Sequence, residues 1–387
     1  MQKIAWISTW SRVCGIADYA KALWPSVQAR LQSQNCEGHL LSLDEYPNSR
    51  ALIGKLREIK PDLVHFQHEY GIYGGKNPPF YWFPELLEDL KQAMPGILTV
   101  ATAHTVLSPT YRFSVKGRGF QAPVRALANI LFLPRLRKIW GSKTWGSLSG
   151  VIVHSRHQIE WLSVKNAQVI PHYVPALGIL GTVARADTAP SKVRRILVFG
   201  FFTPEKGQDL AIKAFSIVSK NEGFKDVRLV LAGGVRRNQD QAFFTRCRDH
   251  IYELKLADKI EVTGFVESRL VDSHYQKAAL VLAPFKETTG SGSLAQALAR
   301  GAAVLTSDLA LNQEINERQA GTLALYRTQS AEDCAAQIMR LLKDDAARQA
   351  LKSSAKNYAQ AQSPPQIAEQ HMKFYQLLAS QDKGSKP

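Results

Sequence analysis

Residues 280–301 read LVLAPFKETTGSGSLAQALARG, and this stretch decides the fold. The apolar run Leu280–Ala283 has the length and composition of a buried strand. A loop of glycine, serine and threonine follows at Thr288–Ser293. Strong helix formers then run from Leu294 to Arg300, and the next residue, Gly301, stands where a C-cap glycine belongs. The stretch therefore predicts a strand, a flexible loop and a helix, in that order.

The loop before this helix is suited to binding an anion. Small residues let the backbone approach a ligand closely, and the first N–H groups of a helix point outward with the positive end of its dipole. Lys286 and Glu287 stand at the mouth of the loop, and Ala302–Thr306 has the pattern of the next strand. We therefore predict a phosphate or diphosphate site at this position.

Length and patterning predict two α/β domains. The chain has 387 residues, of which 45% are hydrophobic, so it is too long for one typical domain and can bury sizeable cores. Strand and helix patterns alternate from Lys3–Ser8 to a final amphipathic helix at 367–378, and this alternation indicates two parallel sheets in tandem. Residues 174–191 contain proline and glycine without apolar periodicity, so they are predicted to be a linker.

The charge is strongly positive, with a formal net charge of +16. No Asp or Glu occurs between Leu90 and Ile159, and this stretch would attract anionic lipid, nucleic acid or a phosphorylated substrate. We predict contact with an anionic membrane surface through residues 111–145, with a buried helix that has a basic rim as the open alternative. We predict no nucleic-acid partner, because no known binding motif accompanies the basic residues.

Cysteine and histidine spacing predicts neither disulfides nor a metal site. The four cysteines form no Cys-x-x-Cys pair, and no His-Glu-x-x-His helix is present. The N-terminus enters a strand pattern without the apolar region of a signal peptide, and no run of about 18 apolar residues occurs. We therefore expect a cytoplasmic protein, with peripheral attachment to the inner face of the plasma membrane as an extension of the membrane prediction.

Polar residues recur where predicted strands end. Five histidines occupy such positions: His65, His68, His104, His154 and His172. Because the carboxyl ends of parallel strands meet at one sheet edge, they predict a ligand-binding cleft. Gly15 lies at a strand-to-helix junction, where it would allow close approach of a ligand or simply form a tight turn; both interpretations stay open.

Four blocks of the second half, taken together, resemble the nucleotide-sugar domain of the GT-B glycosyltransferases of retaining family 4. They are Gly200 with Glu205–Gly207, Leu229–Gly234, Val262–Val266, and Glu287–Gly301 with Ser307, Asp308 and Glu314. A weaker resemblance extends over the first half through Gly15, His104, Val153 and Ser155. It implies an α/β chain of the GT-B fold, with two Rossmann-like domains facing a central cleft and a C-terminal helix that crosses back to the first domain. The domains would then be 1–173 with 365–387, and 192–364.

The resemblance implies a glycosyltransferase of the hexosyltransferase type. It would move a sugar from a nucleotide-diphosphate sugar to a hydroxyl of a carbohydrate or lipid-linked acceptor, with retention and without a metal ion or other cofactor. The implied setting is the synthesis of cell-surface polysaccharide or glycolipid. Two alternatives stay open, a nucleotide-sugar isomerase of GT-B fold and a catalytically inactive GT-B partner protein.

The resemblance also implies residue roles. Lys206 would contact the donor diphosphate, Glu287 would lie near the transferred sugar and His104 would face that sugar, which makes these three the candidate catalytic residues. The candidate diphosphate-binding residues are Gly15, Lys206, Thr289, Gly290, Ser291, Gly292, Ser293 and Leu294. The candidate base- and ribose-binding residues are Gly234, Arg236, Phe265, Val266 and Gln296.

The sequence departs from the family pattern in the cationic clamp and in the second carboxylate. Phe201 and Phe202 occupy the region where the family has an arginine, and Arg236 or Arg237 is the candidate substitute. The family's second glutamate corresponds to Ala295 or Gln296, depending on the alignment. A glutamine can bind a ribose hydroxyl, but without the assistance of a charge.

Overall fold

The computed structural model describes residues 1–12, 14–74, 81–108, 112, 122–131, 133–134, 144–162, 164–175, 193–236, 238–287 and 290–384. The chain divides into two compact units. Unit 1 comprises Met1–Pro171 and Pro364–Pro387, and unit 2 comprises His172–Ser363. Of the predicted linker, Val174 is buried in unit 2, where its N–H donates to the carbonyl of Gln362 (2.8 Å). Residues 176–191 of that linker lie outside the described residues.

All strand pairings are parallel within the described sheets. The strands are β1 Lys3–Ser8, β2 Glu37–Ser42, β3 Leu63–His68, β4 Leu98–Ala103, β5 Gly150–Val153, β6 Ala167–Val169, β7 Arg195–Phe199, β8 Arg228–Ala232, β9 Ile260–Gly264, β10 Ala278–Ala283, β11 Val304–Ser307 and β12 Ala324–Tyr326. Unit 1 has the order β2-β1-β3-β4-β5-β6 and unit 2 has the order β12-β11-β10-β7-β8-β9. The predicted α/β class is therefore confirmed.

Helices connect the strands and flank the sheets. They are α1 Gly15–Ser33, α2 Ser49–Ile59, α3 Phe83–Ala93, α4 Ala122–Leu131, α5 Arg156–Leu162, α6 Gln208–Ser219, α7 Gln241–Glu253, α8 Ser268–Gln276, α9 Gly292–Ala299, α10 Ala310–Arg318, α11 Ala331–Lys343, α12 Asp345–Ala361 and α13 Pro364–Gly384. Among the described helices, none combines the length and the apolar composition that a membrane-spanning helix needs.

The strand order of each sheet reverses at one point, and that point predicts where ligands bind. In unit 2 the chain builds outward from β7 through β8 and β9, and then returns to place β10 on the other side of β7. In unit 1 the corresponding reversal lies between β1 and β3. Open parallel sheets bind ligands at the carboxyl ends of the strands that flank such a switch point.

The C-terminal helix α13 packs on unit 1, as predicted. A Cβ atom on Gly150 would lie 2.7 Å from side-chain atoms of both Phe374 and Leu378, so glycine permits close packing of the helix against β5. The side chain of Tyr375 bonds to the buried ring of His65. Pro364 and Pro365 form the first turn of α13, where a missing N–H costs nothing.

Candidate active site

Lys206 lies at the switch point of unit 2, in the 3-10 turn that follows β7. Its Nζ atom is 3.1 Å from Ser291 Oγ and 3.4 Å from Ser293 Oγ. The ammonium also lies over the Phe285 ring, 4.4 Å from the centroid. Burial lowers the pKa of Lys206 to about 8, because the charged form loses water without gaining a carboxylate as hydrogen-bond partner. The lysine is therefore ready to bind an anion.

Ser291 caps the helix that carries the other half of this site. Its hydroxyl accepts the N–H of Leu294 (3.3 Å) and lies 3.1 Å from the hydroxyl of Ser293. Gly292 and Ser293 open α9, and the first amides of a helix have no carbonyl partner within it. We call Lys206, Ser291, Gly292 and Ser293 the lysine–serine site. It combines an ammonium, two hydroxyls and a helix N-terminus.

Two glycines let the loops of unit 2 approach one another. Gly207 has a φ of 72°, and a Cβ atom there would overlap the carbonyl oxygen of Pro284 at the end of β10. Gly233, with a φ of 159°, would similarly overlap the carbonyl oxygen of Gly200. Only glycine fits either contact, and the contact at Gly207 brings the turn that carries Lys206 against the end of β10.

Glu287 is exposed, and it follows a lysine with a structural role. Lys286 Nζ lies 2.6 Å from Asp209 Oδ2 on α6, and the Lys286 N–H donates to the carbonyl of Glu205 (2.9 Å). An ion pair with a helix of the same unit therefore holds the Lys286 ammonium. Thr289 and its neighbour Thr288 lie outside the described residues.

The candidate base-binding residues lie at the ends of β8 and β9. Phe202 N–H donates to the carbonyl of Gly234 (3.0 Å), and the backbone nitrogen of Phe265 lies 3.1 Å from the position of a Cβ on Gly234. The Phe265 side chain is 74% exposed, whereas its neighbour Val266 is half-buried against the core of unit 2. At the two strand ends, the exposed Phe265 ring therefore lies beside the closely packed backbone of Gly234.

Arg236 stacks on the residue that stands in the family's arginine region. Its guanidinium carbon lies 5.6 Å from the centroid of the Phe201 ring. Gln296 is half-buried one helical turn after Gly292, and its backbone carbonyl accepts Arg300 Nη1 (3.1 Å). Leu294 buries its side chain in the core of unit 2. Gly290 borders the residues that are not described.

His104 and His154 come together at the carboxyl edge of the unit 1 sheet. His104 Nδ1 lies 3.3 Å from His154 Nε2, and its Nε2 lies 2.8 Å from Gln67 Oε1. Tyr19 packs edge-on against the His104 ring at 4.6 Å, and His104 is 9% exposed. Gly15 begins α1, and a Cβ on it would meet nothing within 4 Å.

His65 and His68 are structural, so the prediction that all five histidines line a cleft is wrong. His65 lies inside β3 and bonds to Tyr375 and to Thr102 Oγ1 (2.8 Å), and burial holds its pKa well below the usual value. His68 bonds to Tyr81 Oη (2.7 Å), and burial lowers its pKa to about 3. His172 belongs to unit 2. Strand β3 extends to His68, beyond the predicted end at His65, because these polar groups find partners in the interior.

Sequence reasoning missed Asp44, which follows β2. Its carboxylate accepts the amides of Trp10 and Ser11 and the Nε of Arg12, each at 2.8 Å, and the hydroxyl of Thr9 at 3.0 Å. Burial opposes ionisation, but the hydrogen bonds outweigh it and lower the pKa of Asp44 to about 2. An acidic residue after a strand was the only signal in the sequence.

No group of three or more His, Cys, Asp or Glu side chains is arranged to hold a metal ion within the described part of the chain.

Comparison with protein families gives a match in the second half of the chain. Residues 183–358 match the family model of the glycosyl transferases group 1. A comparison with curated proteins gave no match.

Solved structures with the GT-B fold match nearly the whole chain. A sucrose-phosphate synthase from Thermosynechococcus elongatus is 18% identical, with a TM-score of 0.71, over 98% of this chain and 100% of that chain. HepE from Anabaena, in complex with UDP and glucose, is 14% identical, with a TM-score of 0.67, over 97% and 100%. A glycosyltransferase from Rickettsia africae is 14% identical, with a TM-score of 0.68, over 98% of each chain. These likenesses establish the GT-B fold.

Proposed function

We propose that the protein transfers a sugar from a nucleotide-diphosphate sugar to a hydroxyl of an acceptor, because residues 183–358 match the family model of the glycosyl transferases group 1 and the chain has the GT-B fold. One observation carries this proposal, the lysine–serine site at the switch point of unit 2. An ammonium, two hydroxyls and a helix N-terminus in one place suit a diphosphate.

The lysine–serine site would stabilise the leaving group. Transfer breaks the bond between the sugar and the diphosphate, and negative charge develops on the diphosphate oxygens. Lys206 and the first amides of α9 would meet this charge without reorganising, which is how fixed donors lower a barrier. We propose that they supply the positive charge that a metal ion supplies in other transferases, so that added EDTA leaves turnover unchanged.

Glu287 and His104 are the remaining candidate catalytic residues. We propose that Glu287 lies near the transferred sugar, that His104 faces this sugar, and that the configuration at the anomeric carbon is retained. The exposed position of Glu287 directly after Lys286, at the carboxyl end of β10, supports its role. The Glu287→Gln variant should lose turnover while it keeps the affinity for the donor. Proton NMR of the anomeric signal in the first product formed would decide the stereochemistry.

We propose UDP as the nucleotide of the donor. The support is the complex of HepE with UDP and glucose, together with the exposed Phe265 ring beside Gly234. Backbone at Phe265 and Val266 would meet the base, and Arg236 on Phe201 would supply a second cation. Gln296 would bond to the ribose as a neutral amide, so affinity for the ribose should be lower than with a carboxylate.

We propose a carbohydrate or lipid-linked acceptor and peripheral attachment to an anionic membrane, on the cytoplasmic side. Much of the stretch 111–145, on which the membrane prediction rests, lies outside the described residues. Its helix α4 exposes four apolar side chains: Val124, Leu127, Ile130 and Leu131. Apolar groups within a stretch that lacks acidic residues suit the surface of an anionic bilayer. Such a location fits the synthesis of cell-surface polysaccharide or glycolipid.

A thermal-shift screen of the full-length protein tests the proposed function. UDP, GDP and dTDP, each alone and as their sugars, are compared at equal concentration, and UDP compounds should raise the unfolding temperature most. Stabilisation by no nucleotide would refute the proposal. Binding with conversion of the donor in the absence of an acceptor would indicate an isomerase, and binding without any turnover across an acceptor panel would indicate an inactive partner protein.

A further inference from the structure

The loop after β1, residues 9–12, is fixed by a single carboxylate. Asp44 bonds to four successive residues of this loop, and only 16% of its side chain is exposed. Because these bonds favour the carboxylate form, the loop keeps its attachment over the whole physiological pH range. A surface loop held by so many charge-assisted bonds presents its side chains in a fixed arrangement.

This fixed loop presents an aromatic ring near the ammonium of Lys21, and it also carries Arg12. Trp10 is half-buried, and Lys21 on α1 places its Nζ 5.9 Å from the centroid of the indole. Arg12 binds Asp44 through Nε, and half of its side chain is exposed. Within the described residues, no carboxylate lies within ion-pair distance of Lys21 Nζ, and Arg12 keeps its terminal NH₂ groups beyond the Nε that binds Asp44. The exposed Asp18, three residues before Lys21, forms no ion pair with it there.

We propose that Trp10, Arg12 and Lys21 form the acceptor subsite and select a sugar that carries an anionic group, either a phosphate or a carboxylate. This inference rests on the proposed transferase function and assigns the acceptor class. The loop stands at the carboxyl end of β1, beside the switch point of the unit 1 sheet, where ligands of such sheets bind. The indole packs against the apolar face of the sugar ring, and the guanidinium and ammonium bind the anion.

Fluorine NMR of the full-length protein labelled with 5-fluorotryptophan tests the subsite directly. The Trp10→Phe variant identifies the Trp10 signal by its loss. The protein is titrated with glucose 6-phosphate, glucuronate, glucose and inorganic phosphate at constant ionic strength. Glucose 6-phosphate or glucuronate should move the Trp10 signal in a saturable way, and the tighter of the two identifies the anionic group. Glucose should not move it at the same concentrations.

Three variants separate the subsite from general effects of charge. Arg12→Gln and Lys21→Gln should each weaken the binding of the anionic sugar about tenfold, because each removes one charge-assisted contact. Lys21→Gln leaves the bonds of Asp44 intact, so it tests the idea even where Arg12→Gln disturbs the loop. Lys213→Gln, at an exposed lysine on α6 of unit 2, should leave the affinity unchanged.

Three results would overturn the inference. They are an equal response to glucose, binding of inorganic phosphate as tightly as glucose 6-phosphate, and displacement of the anionic sugar from the Trp10 signal by UDP. The last result would assign the loop to the donor. Failure of the transferase proposal is detected separately, because the thermal-shift screen with nucleotides reports on donor binding. The Trp10 signal decides independently whether this loop binds anionic sugars.

Discussion

Lys206 of unit 2 and the two histidines of β3 in unit 1, His65 and His68, belong to similar parallel sheets, but they differ in how their polar groups are satisfied. Lys206 bonds to hydroxyls and has a lowered pKa, so an anion would bind more favourably than its present partners. His65 and His68 are buried against hydroxyl and ring partners. The comparison teaches that polar residues near strand ends indicate a site only where they remain open to a ligand.

Removal of the Lys206 ammonium should have the largest effect. Lys206→Ala should lower turnover of the donor by about 10²- to 10³-fold and weaken UDP binding, because a fixed donor to the leaving group is lost. Lys213→Ala on α6 is the matched control and should behave as wild type. Steady-state kinetics and calorimetric titration with UDP measure the two effects. Unchanged turnover in Lys206→Ala would assign the leaving-group charge to other residues.

A pair of glycine substitutions contrasts the two units. Gly207→Ala should destabilise unit 2 by about 3 kcal/mol or more, since its Cβ would overlap the carbonyl of Pro284 and φ is positive. Gly15→Ala should change stability by less than about 1 kcal/mol, because its Cβ would meet nothing within 4 Å. Urea unfolding measures both. Equal destabilisation by the two would contradict the difference in packing described for these turns.

Acid should destabilise unit 1 through its buried histidines. Burial lowers the pKa of His68 to about 3 and that of His371 to about 4, whereas both are near 6.5 when unfolded. The unfolded chain therefore binds more protons below pH 6.5, and the stabilising contribution, complete above that pH, is lost as the pH falls toward the folded pKa values. Each histidine should make the free energy of unfolding fall by up to about 1.4 kcal/mol for each pH unit of acidification.

The measurement is urea unfolding between pH 7.5 and 5, with a probe in unit 1. The His68→Gln variant should show a smaller slope of the free energy of unfolding against pH, because the contribution of one histidine is removed. If its slope matched that of the wild type, His68 would not be the group that takes up the proton.

The smallest predicted effect is the pH dependence of UDP binding. The Lys206 ammonium loses its proton with a pKa of about 8, so affinity for UDP should fall about tenfold at most between pH 7 and 9. Lys206→Arg keeps its charge in this range and should bind UDP with little pH dependence. Calorimetric titrations with UDP at three pH values measure this affinity for the wild type and for the variant. A flat profile for the wild type would mean that the ammonium keeps its proton at pH 9 or does not contact the diphosphate.

Local patterns were sufficient for much of the fold. The strand Lys3–Ser8 has its predicted bounds and the predicted strand Leu280–Ala283 lies within β10, because apolar periodicity acts over a few residues. Gly301 ends α9 with a φ of 59°, as its place after the helix indicated. Errors arose where partners are distant in sequence. His65, which was predicted to line a cleft, instead bonds to Tyr375 of α13, and no local rule signals this contact.

By itself, the sequence determined the alternation of strands and helices, the loop of small residues before α9 and the family resemblance of the second half. Only the tertiary structure decided which polar groups meet. It placed β10 beside β7 and so brought Ser291 to Lys206 across 85 residues, and it buried His65 against Tyr375 across 310 residues. The physical reason is that secondary structure follows from short-range periodicity, whereas a binding site depends on sheet order and on burial, which the whole chain sets.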